Sequence, residues 1–162
     1  MKKEYIIRKM YELADKIEYE VNDISYLKEA MRSDILHEKN DGCNRKNYSN
    51  DAMATVGDTI LKFVLSDYFY NLGGNDRENI TSLKSQIENN KTLFKVSDRL
   101  IIDYAYNEHG FFNRKMSNIK VRHPLHDPYI EAIVYAIYLD RGIDYVRDWI
   151  IKFLKKEGLI KK

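Results

Sequence analysis

An all-α fold in one domain is what this sequence predicts, on three observations. Apolar residues recur at helical spacing in seven segments, and no alternation of period two persists anywhere. Two prolines and seven glycines in 162 residues are too few for a loop-rich β architecture. The composition, 44% hydrophobic and 32% charged, is that of a globular protein long enough to enclose one core and too short for two.

The first helix follows from Ile6, Ile7, Met10, Leu13, Ala14 and Ile17, which place one apolar face along the chain as far as about Glu20. Asn22-Asp23 breaks it, and Ser25 is read as the cap of a second helix carrying Leu27, Ala30 and Met31. From His37 to Ser49 apolar side chains nearly vanish, so this stretch reads as an exposed loop. A third helix runs from about Asn50 to Asn71, with Met53, Val56, Ile60, Leu61 and Val64 as its buried stripe and Gly73-Gly74 as its end. Thr81 or Ser82 opens a fourth, with Leu83 and Ile87 inward, and Leu93, Val96, Leu100 and Ile101 mark a fifth. Residues 107–125 are polar and irregular apart from Phe111-Phe112, a pair suited to anchoring that stretch on the core. Asp127-Pro128 is a helix start, an acidic N-cap before a first-turn proline. That helix runs to Arg141-Gly142, and a last one carries Val146, Trp149, Ile150, Phe153 and Leu154.

Several function classes fall away on composition. A net charge of +2 is no global polycationic signal, so any nucleic-acid contact must come from a local patch. Cys43 is the only cysteine, which excludes an intramolecular disulfide and a cysteine-based zinc site. No segment approaches the apolar length of a membrane span and the N-terminus is amphipathic rather than signal-like, so a cytoplasmic location is expected.

The chemistry concentrates in acids. Asp51 and Asp58 are seven residues apart, so on a helix they project from nearly one face, about 20° apart. A carboxylate held against an apolar stripe is costly unless it is paired or binds a metal. Asp127 and Glu131 form a second acidic cluster at a separate helix start, with about 40° between them round the helix. Acids from two helices are what a divalent-metal phosphodiesterase site requires.

In order and spacing these segments resemble the ribonuclease III endonuclease domain, over residues 17–154, flanked by an N-terminal helix (1–16) and a basic tail (155–162). Ile17-Glu18-Tyr19-Glu20-Val21 with Ile24 to Ala30 is similar to the family's opening helix pair. Asn50-Asp51 through Gly57-Asp58-Thr59-Ile60-Leu61 resembles its signature helix. Ile87-Glu88-Asn89-Asn90-Lys91-Thr92-Leu93 resembles its mid-domain junction, and Glu131-Ala132-Ile133 through Asp140-Arg141-Gly142 its second acidic motif.

The resemblance implies a homodimeric, all-helical nuclease that cleaves double-stranded RNA using Mg²⁺, with Mn²⁺ as a substitute. It implies Asp58 and Glu131 as catalytic metal ligands, with Asp51 and Glu78 as accessory acids. Hard carboxylate oxygens suit Mg²⁺, which keeps several of its waters and offsets charge on a phosphate. Two positions depart from the pattern. Ala54 stands where the signature has a glutamate, and Pro128 where the second motif has an aspartate. Asp127, four residues before Glu131, reads as a helix cap that would also reach the metal if the helix start is reshaped. Thr55 replaces an aromatic residue that packs across the family's dimer. The stand-alone mini-ribonuclease III enzymes, which have no double-stranded RNA-binding domain and act on ribosomal RNA precursors, resemble this chain at two of these positions: their signature carries alanine where Ala54 sits, and their second motif lacks the usual aspartate.

Arg114, Lys115, Lys120, Arg122 and His123 make the stretch before the second motif basic, a candidate patch for the RNA backbone. His126-Asp127 also matches the adjacent His-Asp pair of all-helical metal phosphohydrolases, but His37, His109 and His123 are not at the helical positions such a centre needs. Two expectations remain: a metal-dependent endoribonuclease of structured RNA, or a degenerate domain that binds such RNA without cutting.

Overall fold

A computed structural model describes residues 2–33, 50–73, 76–113 and 127–161. It is all-α, as the sequence predicts. Helices α1 (Lys3–Lys16) and α2 (Ser25–Ala30) precede the long α3 (Asp51–Asn71). Then come α4 (Arg77–Glu88), α5 (Asn90–Leu100) and a 28-residue α6 (Tyr129–Lys156). Helices α3 and α6 pack along each other and form the centre of the molecule.

Helix α1 buries Met10, Leu13 and Ala14 but stops at Lys16, short of the predicted Glu20. The stop is a Schellman turn: Glu18 takes a left-handed φ of 57°, and the N–H of Tyr19 bonds the carbonyl of Ala14 at 2.8 Å. Asp23, not Ser25, caps α2, its Oδ1 accepting from the Ser25 N–H at 2.9 Å. Similarly α4 starts before Thr81, because Asp76 accepts from the Glu78 N–H at 3.1 Å and so opens the helix at Arg77. Asn89 ends α4 and caps α5 through the Lys91 N–H at 2.9 Å.

The buried face of α3 differs from the predicted one. It is Ala54, Gly57, Leu61, Val64, Leu65 and Phe69, while Val56 is 42% exposed. Gly57, with no side chain, lets α3 lie directly against the Glu131 backbone of α6, and with Gly57 inward Val56 turns outward. A small hairpin, β1 (Tyr106–Asn107) with β2 (Gly110–Phe111), is too short to leave a periodic trace in sequence. Phe111 meets Tyr5 edge-on at 5.5 Å, and with Phe112 it packs against the core as expected.

Helix α6 begins at Tyr129, with Pro128 at the N-cap and Asp127 one residue further out than predicted. The predicted break at Gly142 is a kink within α6, where φ is 85° and ψ 176°. Just before it, Asp140 accepts from the backbone N–H groups of Asn22 (2.9 Å) and Asp23 (2.8 Å) and from the Tyr19 hydroxyl. Arg141 donates to the Glu20 carbonyl at 2.7 Å, and the Trp149 indole to that of Ile17 at 3.0 Å. The Asp140-Arg141-Gly142 run therefore anchors the α1–α2 connection. Among the described residues, no helix is long and apolar enough to cross a membrane.

Candidate active site

The site grows from the crossing of α3 and α6. A β-carbon built on Gly57 would lie 1.7 Å from the Glu131 carbonyl oxygen, so only glycine permits this approach. Asp58, the next residue on α3, is thereby brought within electrostatic reach of Glu131 on the first turn of α6.

Glu131 is the most perturbed carboxyl of the group. Burial pushes it up to about 7, and the charges of Asp127 and Asp58 add to the effect while its own backbone N–H opposes it. Its Oε2 is buried with no hydrogen-bond partner. A buried carboxylate oxygen in that state is costly unless a proton or cation meets it. Asp127 accepts a hydrogen bond from the Ser97 hydroxyl on α5 at 3.1 Å and lies 3.5 Å from the Tyr129 N–H. It therefore combines a cap-like contact with a charge directed at Glu131.

On the other flank, Asp58 pairs with Lys62 one turn along α3, at 2.9 Å, and this holds the Lys62 ammonium above its ordinary value. Glu88, the last residue of α4, joins from a third helix. Burial raises its carboxyl, the charges of Lys84 and Lys62 oppose that, and Asp58 reinforces it. Its Oε1 is likewise buried without a hydrogen-bond partner. Sequence reasoning does not single out Glu88 among the acids. Its one signal there is its position between the core residue Ile87 and the helix cap Asn89, where an acid at a helix C-terminus opposes the dipole.

Asp127 and Asp58 thus act electrostatically on Glu131, and Asp58, Lys62 and Lys84 act on Glu88. Among the described residues no three His, Cys, Asp or Glu side chains are drawn together tightly enough to hold a metal ion. The orphaned oxygen of Glu131 and the hard oxygen donors of Asp58 and Asp127 that act on it nonetheless fit a divalent cation in their chemistry.

Other predicted residues lie elsewhere. Asp51 is in the first turn of α3, two turns or about 10 Å of helix rise from Asp58. Glu78 is at the opening of α4, the opposite end from Glu88. Ala54 is 8% exposed and built into the core. His109 is exposed beside Glu108. Arg114, Lys115, Lys120, Arg122, His123 and His126 lie outside the described residues, as do His37 and Cys43.

Residues 51–142 match the family described as Ribonuclease III domain. The chain is 27% identical over 154 residues to Ribonuclease 3 of Fusobacterium nucleatum, covering 93% of this chain and 63% of that protein. It is 29% identical over 151 residues to Ribonuclease 3 of Caldanaerobacter subterraneus, covering 89% and 61%. It therefore spans about three-fifths of the length of these relatives. Among solved structures, the nuclease domain of ribonuclease III from Campylobacter jejuni superposes with a TM-score of 0.69 at 20% identity, over 91% of this chain and 97% of that one; that structure concerns flexibility in a region involved in dimer formation. A matching family segment spanning the α3–α6 crossing, and a shared fold over nearly the whole chain, establish that this protein belongs to the ribonuclease III domain family.

Proposed function

We propose that the chain is a metal-dependent endoribonuclease that hydrolyses phosphodiester bonds in double-stranded or structured RNA, ribosomal RNA precursors included. The observation that carries this reading is the buried, unpartnered Oε2 of Glu131, facing the charges of Asp58 and Asp127 at the crossing. Glu131 and Asp58 would hold Mg²⁺ or Mn²⁺, with Asp127 as a third donor. When bound, such an ion offsets phosphate charge and makes a water acidic enough to attack. Burial of Glu131 keeps the site dry on one side, the Gly57 contact fixes the spacing of the two acids, and Ser97 orients Asp127. Arg114, Lys115, Lys120 and Arg122 would grip the RNA backbone, with Asp51 and Glu78 as accessory acids. Shape and 2′-hydroxyls, rather than base sequence, would then select A-form RNA.

The active unit would be a cytoplasmic homodimer, since one domain offers one site and a duplex has two strands. Val56, Phe63 and Tyr70 support this: they are 42%, 57% and 58% exposed and repeat every seven residues along α3, one apolar stripe pointing to solvent. A second reading, an RNA-binding domain that does not cut, is favoured by the burial of Ala54 and by the Lys62 ion pair on Asp58.

Purified protein, an end-labelled RNA duplex and Mg²⁺ or Mn²⁺ separate the two. Cutting that disappears in Asp58→Asn and Glu131→Gln while RNA binding persists supports the nuclease. An intact duplex bound by the protein supports the second reading.

A further inference from the structure

We propose that Lys62 is an RNA-phosphate contact of the site, an ammonium that exchanges Asp58 for the substrate backbone when Asp58 gives its oxygens to a divalent ion. The proposal rests on the nuclease reading above and adds to it a cation on α3. Its basis is one ion pair. Lys62 Nζ lies 2.9 Å from Asp58 Oδ2, one turn further along the same helix, and both side chains reach solvent, 49% and 42% exposed.

As a brace for α3 this pair contributes little, because ion pairs in solvent are weak and α3 is already held by its buried face. Its place beside the acids gives the ammonium a second use. Asp58 and Asp127 both act on Glu131, so an RNA strand brought to this spot meets like charge. Lys62 touches Asp58 and is open to solvent, so it offers a compact positive charge where the phosphate must arrive. While it pairs with Asp58 its charge is largely neutralised as an RNA contact. Once Asp58 is engaged elsewhere, the flexible lysine stem lets the ammonium turn to a phosphate with α3 unmoved. Glu88 also draws on Lys62, but Lys84 serves that acid as well.

The test is binding of an end-labelled RNA duplex to the whole chain in EDTA, titrated against KCl. Asp58→Asn removes the acid of the pair and so reproduces the released lysine without any ion. In that background Lys62→Gln should lower the slope of log affinity against log salt by about one, and Lys62→Arg should restore it. With Asp58 intact, Lys62→Gln should change the slope far less, because the ammonium is then occupied. With Mg²⁺ added, Lys62→Gln should raise the KM for the duplex several-fold. A thermal melt verifies that each variant is folded. Equal slopes with and without Lys62 in the Asp58→Asn background overturn the phosphate contact, and cutting by the unaltered protein then leaves the nuclease reading standing. An equal loss of slope in both backgrounds overturns the exchange with Asp58. Absence of RNA binding in both the unaltered protein and Asp58→Asn overturns the proposal together with the reading it rests on.

Discussion

The α-carbon of Gly57 faces the carbonyl oxygen of Glu131 so closely that a β-carbon there would come within 1.7 Å of it. One contact thus sets the separation of the two central helices and the placement of Asp58 against Glu131. Because the obstacle is backbone, it cannot be relieved by a rotamer change. Gly57→Ala should destabilise the protein by about 3 kcal/mol, at the upper end of ordinary overpacking costs. Denaturant unfolding at constant slope would measure it, and a loss under about 0.5 kcal/mol would show that α3 and α6 slide freely.

The buried Glu131 makes the metal-free protein sensitive to pH in an unusual direction. Its carboxyl is pushed up to about 7 in the folded chain from an ordinary 4.5, so between these values the folded state holds a proton the unfolded state has released. Stability is fullest below about pH 4.5 as far as this group is concerned, and falls as pH rises through about 7, by about 3 kcal/mol in all. In EDTA, the urea midpoint of Glu131→Gln should therefore exceed that of the unaltered protein more at pH 7.5 than at pH 5. Equal gaps at both values would show that Glu131 is solvated in the folded state.

At position 54 the core and the site compete. A glutamate there would desolvate a charge in a position 8% exposed, so Ala54→Glu should lower stability in EDTA by about 1–3 kcal/mol. One turn before Asp58, the new carboxylate should also tighten Mn²⁺ binding and recover part of the loss when the ion is added. Calorimetry with and without Mn²⁺ checks both effects, and unaltered Mn²⁺ affinity would place position 54 off the site.

The kink in α6 depends on a backbone conformation that L side chains rarely adopt. Gly142 has φ 85° and ψ 176°, and a β-carbon added there would meet nothing within 4 Å, so strain alone and no clash should penalise Gly142→Ala. A loss of about 1–3 kcal/mol is expected. Asp140→Asn, which weakens the anchor of the α1–α2 connection, should destabilise through a different route, and hydrogen exchange should show the loss at the Asn22 and Asp23 amides.

The exposed stripe on α3 tests the dimer. Phe63→Lys combined with Tyr70→Lys should shift sedimentation at micromolar concentration from dimer to monomer while the thermal midpoint of the monomer stays close to its former value. A protein that sediments as a monomer before substitution would leave this stripe without the proposed partner.

Much of this protein is legible in its sequence, because helices announce themselves locally. Apolar spacing locates the helices, Asp127-Pro128 and Gly142 mark the start and the kink of α6, and Gly57-Asp58 and Glu131 stand out as acids with helical context. Helix ends are less legible, since Asp23 and Asp76 compete with nearby serines and threonines for the same capping role and only backbone geometry decides between them. The buried face of α3 and the place of Glu88 are decided by tertiary structure alone. Periodicity treats Gly57 as a gap in an apolar stripe, whereas packing sets it directly against the Glu131 backbone and turns Val56 to solvent. Glu88 looks in sequence like one acid of many on an amphipathic helix. Its neighbours Asp58 and Lys62 are distant along the chain, and desolvation of its oxygen exists only once α4 has docked on α3.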